Sequence, residues 1–211
     1  MSARMQITFF ADVVCPWCYI GHVRLMRAIA RYPQGRISVE YAPFQLAPNV
    51  EGNITLDAYY VSRGLDPAVM KKAQANATEV GRSLELTIDY SRIHSMFNTV
   101  DAHRLVKLAP AEKRTALLDL LHQGYFAEGR NYGAIDELAG VGERAGMGPA
   151  AGIAAALRTP EHRQAVRDEG NHAYTLPIIT VPYMVVDGKW PVQFLQIEGV
   201  ADFALSNLYP G

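Results

Sequence analysis

The sequence predicts an α/β fold in which a small sheet is split by a long helical insertion. Three observations carry this expectation. A β-favouring run, an amphipathic helix and a second alternating run follow one another within residues 5–43. Residues 55–173 are punctuated throughout by helix starts and stops. Two further strand-like runs then flank Asp187-Gly188 and lead into a last helix. The expected division is residues 1–54 and 174–211 for the sheet domain, with residues 55–173 as the inserted helices.

Ile7, Phe9 and Phe10 belong to the first strand, and Asp12 interrupts it. Helical spacing returns at Ile20, Val23, Leu25, Met26 and Ile29, with Arg24, Arg27 and Arg31 between them. Cys15 and Cys18 therefore sit where a strand turns into a helix. Pro16 suits the first helical turn, where its missing N–H leaves no bond unmade. Ile37, Val39 and Tyr41 alternate with Ser38 and Glu40 as a second strand, which Pro43 ends. Strand, helix and strand this close together make a βαβ unit with a parallel pair. The stretch to Asn53 reads as loop.

Thr55 is expected to cap a helix over Leu56–Arg63, and Gly64 to stop it. Asp66 caps the next, with Pro67 at its first position and an end near Leu84. An extended piece is expected over Leu86–Asp89. Asn98 is expected to cap Thr99–Leu108. Pro110 opens a helix over Ala111–Ala127 with Ala116, Leu117, Leu120 and Leu121 on one side. Further helices are expected at residues 134–145, 149–157 and 160–173. Ile178–Val186 reads as a strand, and Pro182 should precede it or occupy its first residue, because proline removes a ladder bond. Trp190, Val192 and Phe194 form the return strand, and Leu195–Leu208 the final helix.

The cysteine pair is where the chemistry points. Residues three apart on a helix share a face, so the two Cα atoms can approach within the roughly 4.4–6.8 Å that a disulfide accepts. Unpaired N–H groups and the positive end of the helix dipole favour the thiolate at Cys15. Cys15 is expected to be the exposed nucleophile, and Cys18, one turn in, the buried resolving partner. A zinc site with His22 as third ligand would need a fourth, and there is no second cysteine pair. No metal is expected. Gly146–Ala151 matches a relaxed dinucleotide fingerprint, but no strand precedes it and Pro149 occupies the turn.

Composition sets outer limits. The 211 residues carry 20 Lys plus Arg and 21 Asp plus Glu, a net charge of −1 that argues against a nucleic-acid partner held by bulk charge. No apolar run approaches the roughly 20 residues that span a bilayer. Met1–Arg4 shows no leader pattern, so a cytoplasmic protein is expected, and with it a transient, catalytic disulfide.

These residues also carry a resemblance. Asp12–Gly21, with Cys15-Pro16-Trp17-Cys18 at its centre, resembles the active-site segment of the FrnE-type branch of DsbA-like thioredoxin-fold oxidoreductases. Tyr41–Pro48 resembles the segment after that family's second strand. Asn98–Leu105 resembles its Asn-Thr-x-x-Ala-His-Arg helix start. Tyr125–Gly129 resembles a helix end in its helical domain, and Thr180–Tyr183 its cis-proline segment. The matches span nearly the whole chain in order. They imply a thioredoxin-like fold with an inserted all-helical domain and a protein-disulfide or dithiol oxidoreductase. Cys15 and Cys18 would be catalytic, and Pro16, Trp17, Val181 and Pro182 would bind substrate. The Val181–Pro182 bond would be cis and lie beside the cysteines. The sequence departs from the family at Leu176–Ile179, where a more Gly-rich approach is usual, and this bears on the shape of that loop. DsbA itself has His in place of Trp17, so a weaker oxidant is expected here.

Asn98, His103 and Arg104 match a family motif at the mouth of the helical domain. Read from the residues alone, Asn98 is an N-cap and His103 an ordinary helix histidine; the resemblance adds a supporting role at the site for both. Asp12 is open between a hydrogen-bond or proton-carrying role near Cys18 and a turn cap. Substrates would be disulfide- or dithiol-containing proteins or small thiols. Glutathione is a candidate co-substrate, no other cofactor is expected, and the chain would be a monomer or homodimer. Two other classes compete. One is a glutathione-dependent transferase or isomerase similar to the kappa-class and 2-hydroxychromene-2-carboxylate isomerase families, which generally carry serine where Cys15 stands. The other is a redox-regulated, chaperone-like binding module using an apolar groove between the two halves.

Overall fold

The structure is a computed structural model that describes residues 4–178 and 180–209. The leader reading at Met1–Ala3 and the strand reading at Ile179 lie outside the described residues. The chain divides into two compact units, one of residues up to Phe44 and from Glu169 onward, the other Gln45–Asp168. The division therefore falls at 44/45 and 168/169 instead of 54/55 and 173/174.

In the first unit β1 (Met5–Ala11) leads to α1 (Pro16–Ile29) and β2 (Ile37–Pro43). β5 (Tyr183–Val186), β6 (Trp190–Gln193) and α9 (Val200–Leu208) close it. The sheet order is β2-β1-β5-β6. β2 runs parallel to β1, with Phe9 opposite Tyr41. β5 is antiparallel to β1, with Phe10 opposite Tyr183. Successive residues of a strand point to opposite faces. Phe9 accordingly meets the Tyr41 ring at 6.1 Å on one face, and Phe10 the Tyr183 ring at 5.9 Å on the other. Ile7, Phe9, Leu25, Met184 and Leu205 are fully enclosed. Arg31, in the turn after α1, places Nη1 on Asp202 Oδ1 of α9 at 2.7 Å, while Arg24 Nη1 of α1 donates to the Gln196 carbonyl at 2.6 Å.

The hairpin turn is as the sequence reads it. Asp187 has φ 50° and Gly188 φ 66°, both left-handed, as a two-residue turn between twisted strands requires. Pro182 precedes the strand, as its missing N–H predicts: β5 begins at Tyr183, so Ile178 and Thr180 lie outside it. One reading needs correction. The last helix starts at Val200, because Phe194 and Gly199 adopt φ 60° and 78° and turn the chain first.

The second unit holds β3 (Asn53–Ile54), α2 (Leu56–Ser62), α3 (Pro67–Ser83), β4 (Met96–Phe97) and α4 (Val100–Leu108), then α5 (Arg114–Phe126), α6 (Ile135–Arg144) and α7 (Ala150–Arg158). α8 (Arg163–Thr175) runs across the boundary. Thr55 Oγ1 accepts the Ala58 N–H at 3.1 Å and Asp66 Oδ1 the Ala68 N–H at 2.8 Å, the two caps the sequence predicts. The β3–β4 ribbon is unforeseen: two residues on each side pair, too few for a periodic signal. Leu86–Asp89 forms no strand. On α5 the buried stripe is Leu117, Leu118, Leu121 and Tyr125, while Ala116 is exposed. No helix among the described residues is long and apolar enough to cross a membrane.

Candidate active site

The register of the sheet builds the site. Because Tyr183 pairs with Phe10, the residues just before Tyr183 lie beside those just after Phe10. Val181–Pro182 is thereby brought to the end of β1, from which the cysteine turn emerges. The Val181–Pro182 bond is cis. The Cys15 thiol donates to the Val181 carbonyl, 3.9 Å from its sulfur, and the Thr180 hydroxyl donates to the same oxygen at 3.4 Å.

Cys15 is the N-cap of α1, extended at φ −92° and ψ 115°, and Pro16 takes the first position. Its side chain makes no capping bond. Its carbonyl accepts the N–H groups of Cys18 at 3.0 Å and Tyr19 at 3.2 Å, closing the first turn. Cys15 and Cys18 are both free thiols. The structure corrects one expectation. Cys15 is only 4 % exposed, scarcely more than Cys18 at 0 %. The residue type and spacing suggest an open sulfur, but the register lays a carbonyl from 166 positions away upon it. Pro16 and Trp17 are half-buried.

Cys18 is the group whose acidity the site changes most clearly. Burial pushes its thiol well above the ordinary range. A hydrogen bond with Cys15 and the Cys15 charge push it further up, while the Asp12 backbone N–H, 3.5 Å from the sulfur, opposes them. The Asp12 carboxylate adds a smaller upward push by like-charge repulsion. Asp12 is itself fully enclosed, and its carbonyl accepts the Cys15 N–H at 3.2 Å. Its backbone thus serves both cysteines.

Asn98 and His103 belong to the helical unit. The N-cap of α4 is Thr99, not Asn98, and the Thr99 side chain makes no capping bond. Asn98 still satisfies the helix start: its Oδ1 accepts the Val100 N–H at 2.9 Å and the Gln45 amide at 2.8 Å. Its Nδ2 donates to the Pro48 carbonyl at 2.5 Å, so the side chain fastens residues 45–48 to α4. His103 is buried on α4. Arg104 is fully enclosed and donates to Asp101 and to the carbonyls of Leu157, Thr159 and Glu161, holding the end of α7. His22 packs its ring against those of Phe9 and Tyr41, 6.1 and 5.7 Å away. Among the described residues, no cluster of His, Cys, Asp and Glu could hold a metal.

Sequence reasoning passed over Gly21. A Cβ there would lie 2.5 Å from Pro182 Cγ and 3.3 Å from Leu195 Cβ. The signal was present: a glycine inside a helical pattern costs about 1 kcal/mol relative to alanine and asks for a reason. Thr180 lies in the segment that resembles the family's cis-proline loop, but nothing local points to its hydroxyl bond with the Val181 carbonyl.

Residues 6–205 match the DSBA-like thioredoxin domain family. The structure is similar to a probable DsbA oxidoreductase from Streptomyces coelicolor at TM-score 0.84 and 27% identity, covering 97% of this chain and 89% of that one. It is similar to a 2-hydroxychromene-2-carboxylate isomerase at TM-score 0.70 and 14% identity, covering 96% and 95% of the two chains. The cytosolic disulfide reductase DsbM from Pseudomonas aeruginosa, solved with GSH, gives TM-score 0.68 and 17% identity, covering 96% and 98%. At the identities of the last two, the likeness is one of fold alone.

Proposed function

The chain belongs to the DSBA-like thioredoxin domain family of disulfide oxidoreductases, and on that premise we propose that Cys15 and Cys18 exchange disulfides with a protein or small thiol through a mixed disulfide. The observation that carries this is the placement of Cys15 as the cap of α1, with Cys18 one turn on and the Val181 carbonyl at its sulfur. In the reductive direction the Cys15 thiolate attacks one sulfur of a substrate disulfide. The S–S bond breaks, and one substrate sulfur leaves as a thiolate while the other stays bonded to Cys15. Cys18 then gives up its proton and attacks Cys15, releasing the second substrate thiolate. The protein ends with a Cys15–Cys18 disulfide, and two electrons have passed to the substrate. The reverse sequence oxidises a dithiol.

The acidity of Cys18 fits this order. Two of the influences that hold it up are the Cys15 hydrogen bond and the Cys15 charge. Both vanish once Cys15 is bonded to substrate, so Cys18 becomes easier to ionise at the stage when it must attack. The Asp12 N–H, 3.5 Å from its sulfur, stabilises the thiolate that forms. Pro16, Trp17 and the Val181–Pro182 backbone form the surface the substrate meets.

Glutathione is the proposed reductant that resets the pair, in a reducing compartment such as the cytoplasm. The fold shared with DsbM, solved with GSH, supports this. Sulfur at both positions separates this reading from the isomerase one. Cys15→Ser is expected to abolish reduction of insulin disulfides, and Cys18→Ser to accumulate a mixed disulfide visible by mass. Full turnover by Cys15→Ser would end the proposal.

A further inference from the structure

Gly21 faces the loop that carries the Val181 carbonyl, one turn beyond Cys18 on the same face of α1. Its missing side chain is filled by the Pro182 ring. A Cβ at position 21 would stand 2.5 Å from Pro182 Cγ, 3.2 Å from Pro182 Cβ and 3.3 Å from Leu195 Cβ. Carbon atoms rest at about 3.5–4.0 Å, so roughly 1 Å of movement is needed to admit a methyl group. Neither neighbour can yield by rotating a flexible tip: one is a ring fused to the backbone, and the other is a β-carbon of a fully enclosed residue. The movement must therefore pass to the loop or to α1.

We propose that Gly21 is a positioning residue of the exchange site: by having no side chain it sets how closely the Val181–Pro182 loop rests on α1, and thereby how fully Cys15 is covered. This rests on the reading of Cys15 as the attacking sulfur. The Val181 carbonyl lies 3.9 Å from that sulfur and belongs to the residue bonded to Pro182, so a loop lifted off position 21 opens the same gap. A lifted loop does two opposite things. It uncovers Cys15, which is 4 % exposed, and it displaces the backbone that the substrate meets. A residue that merely stabilised the helix would not separate these effects.

The test is Gly21→Ala in the full chain, reduced, with Gly140→Ala as the control. Gly140 lies within α6 with nothing near the position of an added Cβ. Alanine at an open helical position raises or preserves the thermal midpoint and should leave exchange unchanged. At position 21 it is expected to lower the midpoint, to speed alkylation of Cys15 by a bulky maleimide several-fold, and to raise KM for a disulfide peptide several-fold with a smaller change in kcat. If the folded variant shows unchanged alkylation, or alkylation and exchange that fall together, the proposal is overturned. Should Gly21→Ala fail to fold, Gly21→Ala is compared with Gly21 in a Pro182→Ala background, where the ring carbon it meets is gone. There only the 3.2 and 3.3 Å neighbours remain, so the alanine should cost less, and equal damage in both backgrounds overturns the ring contact as cause. The alkylation readout does not need turnover, so a wild-type protein without exchange activity would sink the proposed function while leaving this inference testable.

Discussion

Replacing Cys18 by alanine should flatten the dependence of stability on pH above the ordinary thiol range. The native state holds the Cys18 proton more tightly than the unfolded chain does, because burial and Cys15 raise its pKa above the usual value. Below about pH 8.5 both states carry the proton, and the contribution is complete. Above that, the unfolded chain releases a proton that the native state keeps. Stability then falls as pH rises, by about 1.4 kcal/mol per pH unit until the native group also ionises. Through this range the wild type should lose stability that the variant keeps. The truncation costs packing as well, but that cost is the same at every pH and cancels when slopes are compared. Tyr60 and Tyr132 are also held up by burial, and they too are common to both proteins. The assay is urea unfolding of the reduced proteins at several values from about pH 7.5 to 10, read as the difference between the two curves. Parallel curves would refute the reasoning, since they would mean that Cys18 ionises no later in the folded chain than in the unfolded one.

Other outcomes follow from the helical unit. Arg104→Met removes the donor that serves Asp101 and three carbonyls, while Arg163 still pairs with Asp101 at 2.8 Å. The expected cost is about 3–5 kcal/mol, or roughly 6–20 °C in the thermal midpoint of a chain this size, and a shift under a couple of degrees would deny Arg104 its place in the core. Asp66→Ala should cost about 1 kcal/mol by freeing the Ala68 N–H, measured by urea unfolding, whereas Asp66→Asn should restore most of it. Tyr132→Phe deletes a buried hydroxyl that donates to the Leu121 carbonyl at 2.9 Å. A loss of about 0.5–1.5 kcal/mol is expected by the same measurement, and a gain would show that the carbonyl has another donor.

Much of this molecule is legible in the chain because its strongest signals are local. A proline behind an extended cysteine starts α1, threonine and aspartate cap α2 and α3, and Asp187-Gly188 turns the hairpin, each through bonds or torsions within a few residues. What separated in the folded structure depended on partners far away in sequence. Ala116 has the right spacing for the buried face of α5, yet Leu118 takes that place, since only the packed neighbours decide which stripe is inside. Asn98 has the right chemistry for a cap, and it does satisfy a helix N–H, but the cap position itself passed to Thr99 while the side chain reached across to Gln45 and Pro48.

The sequence alone determined that two thiols stand one helical turn apart where a strand ends, because that arrangement is built from consecutive residues. The tertiary structure decided what surrounds them. Antiparallel pairing of Tyr183 with Phe10 carries a carbonyl on to the first sulfur, and the bare backbone of Gly21 lets Pro182 close against the helix. Strand register is a long-range property, fixed by the joint burial of side chains that no short window of sequence contains.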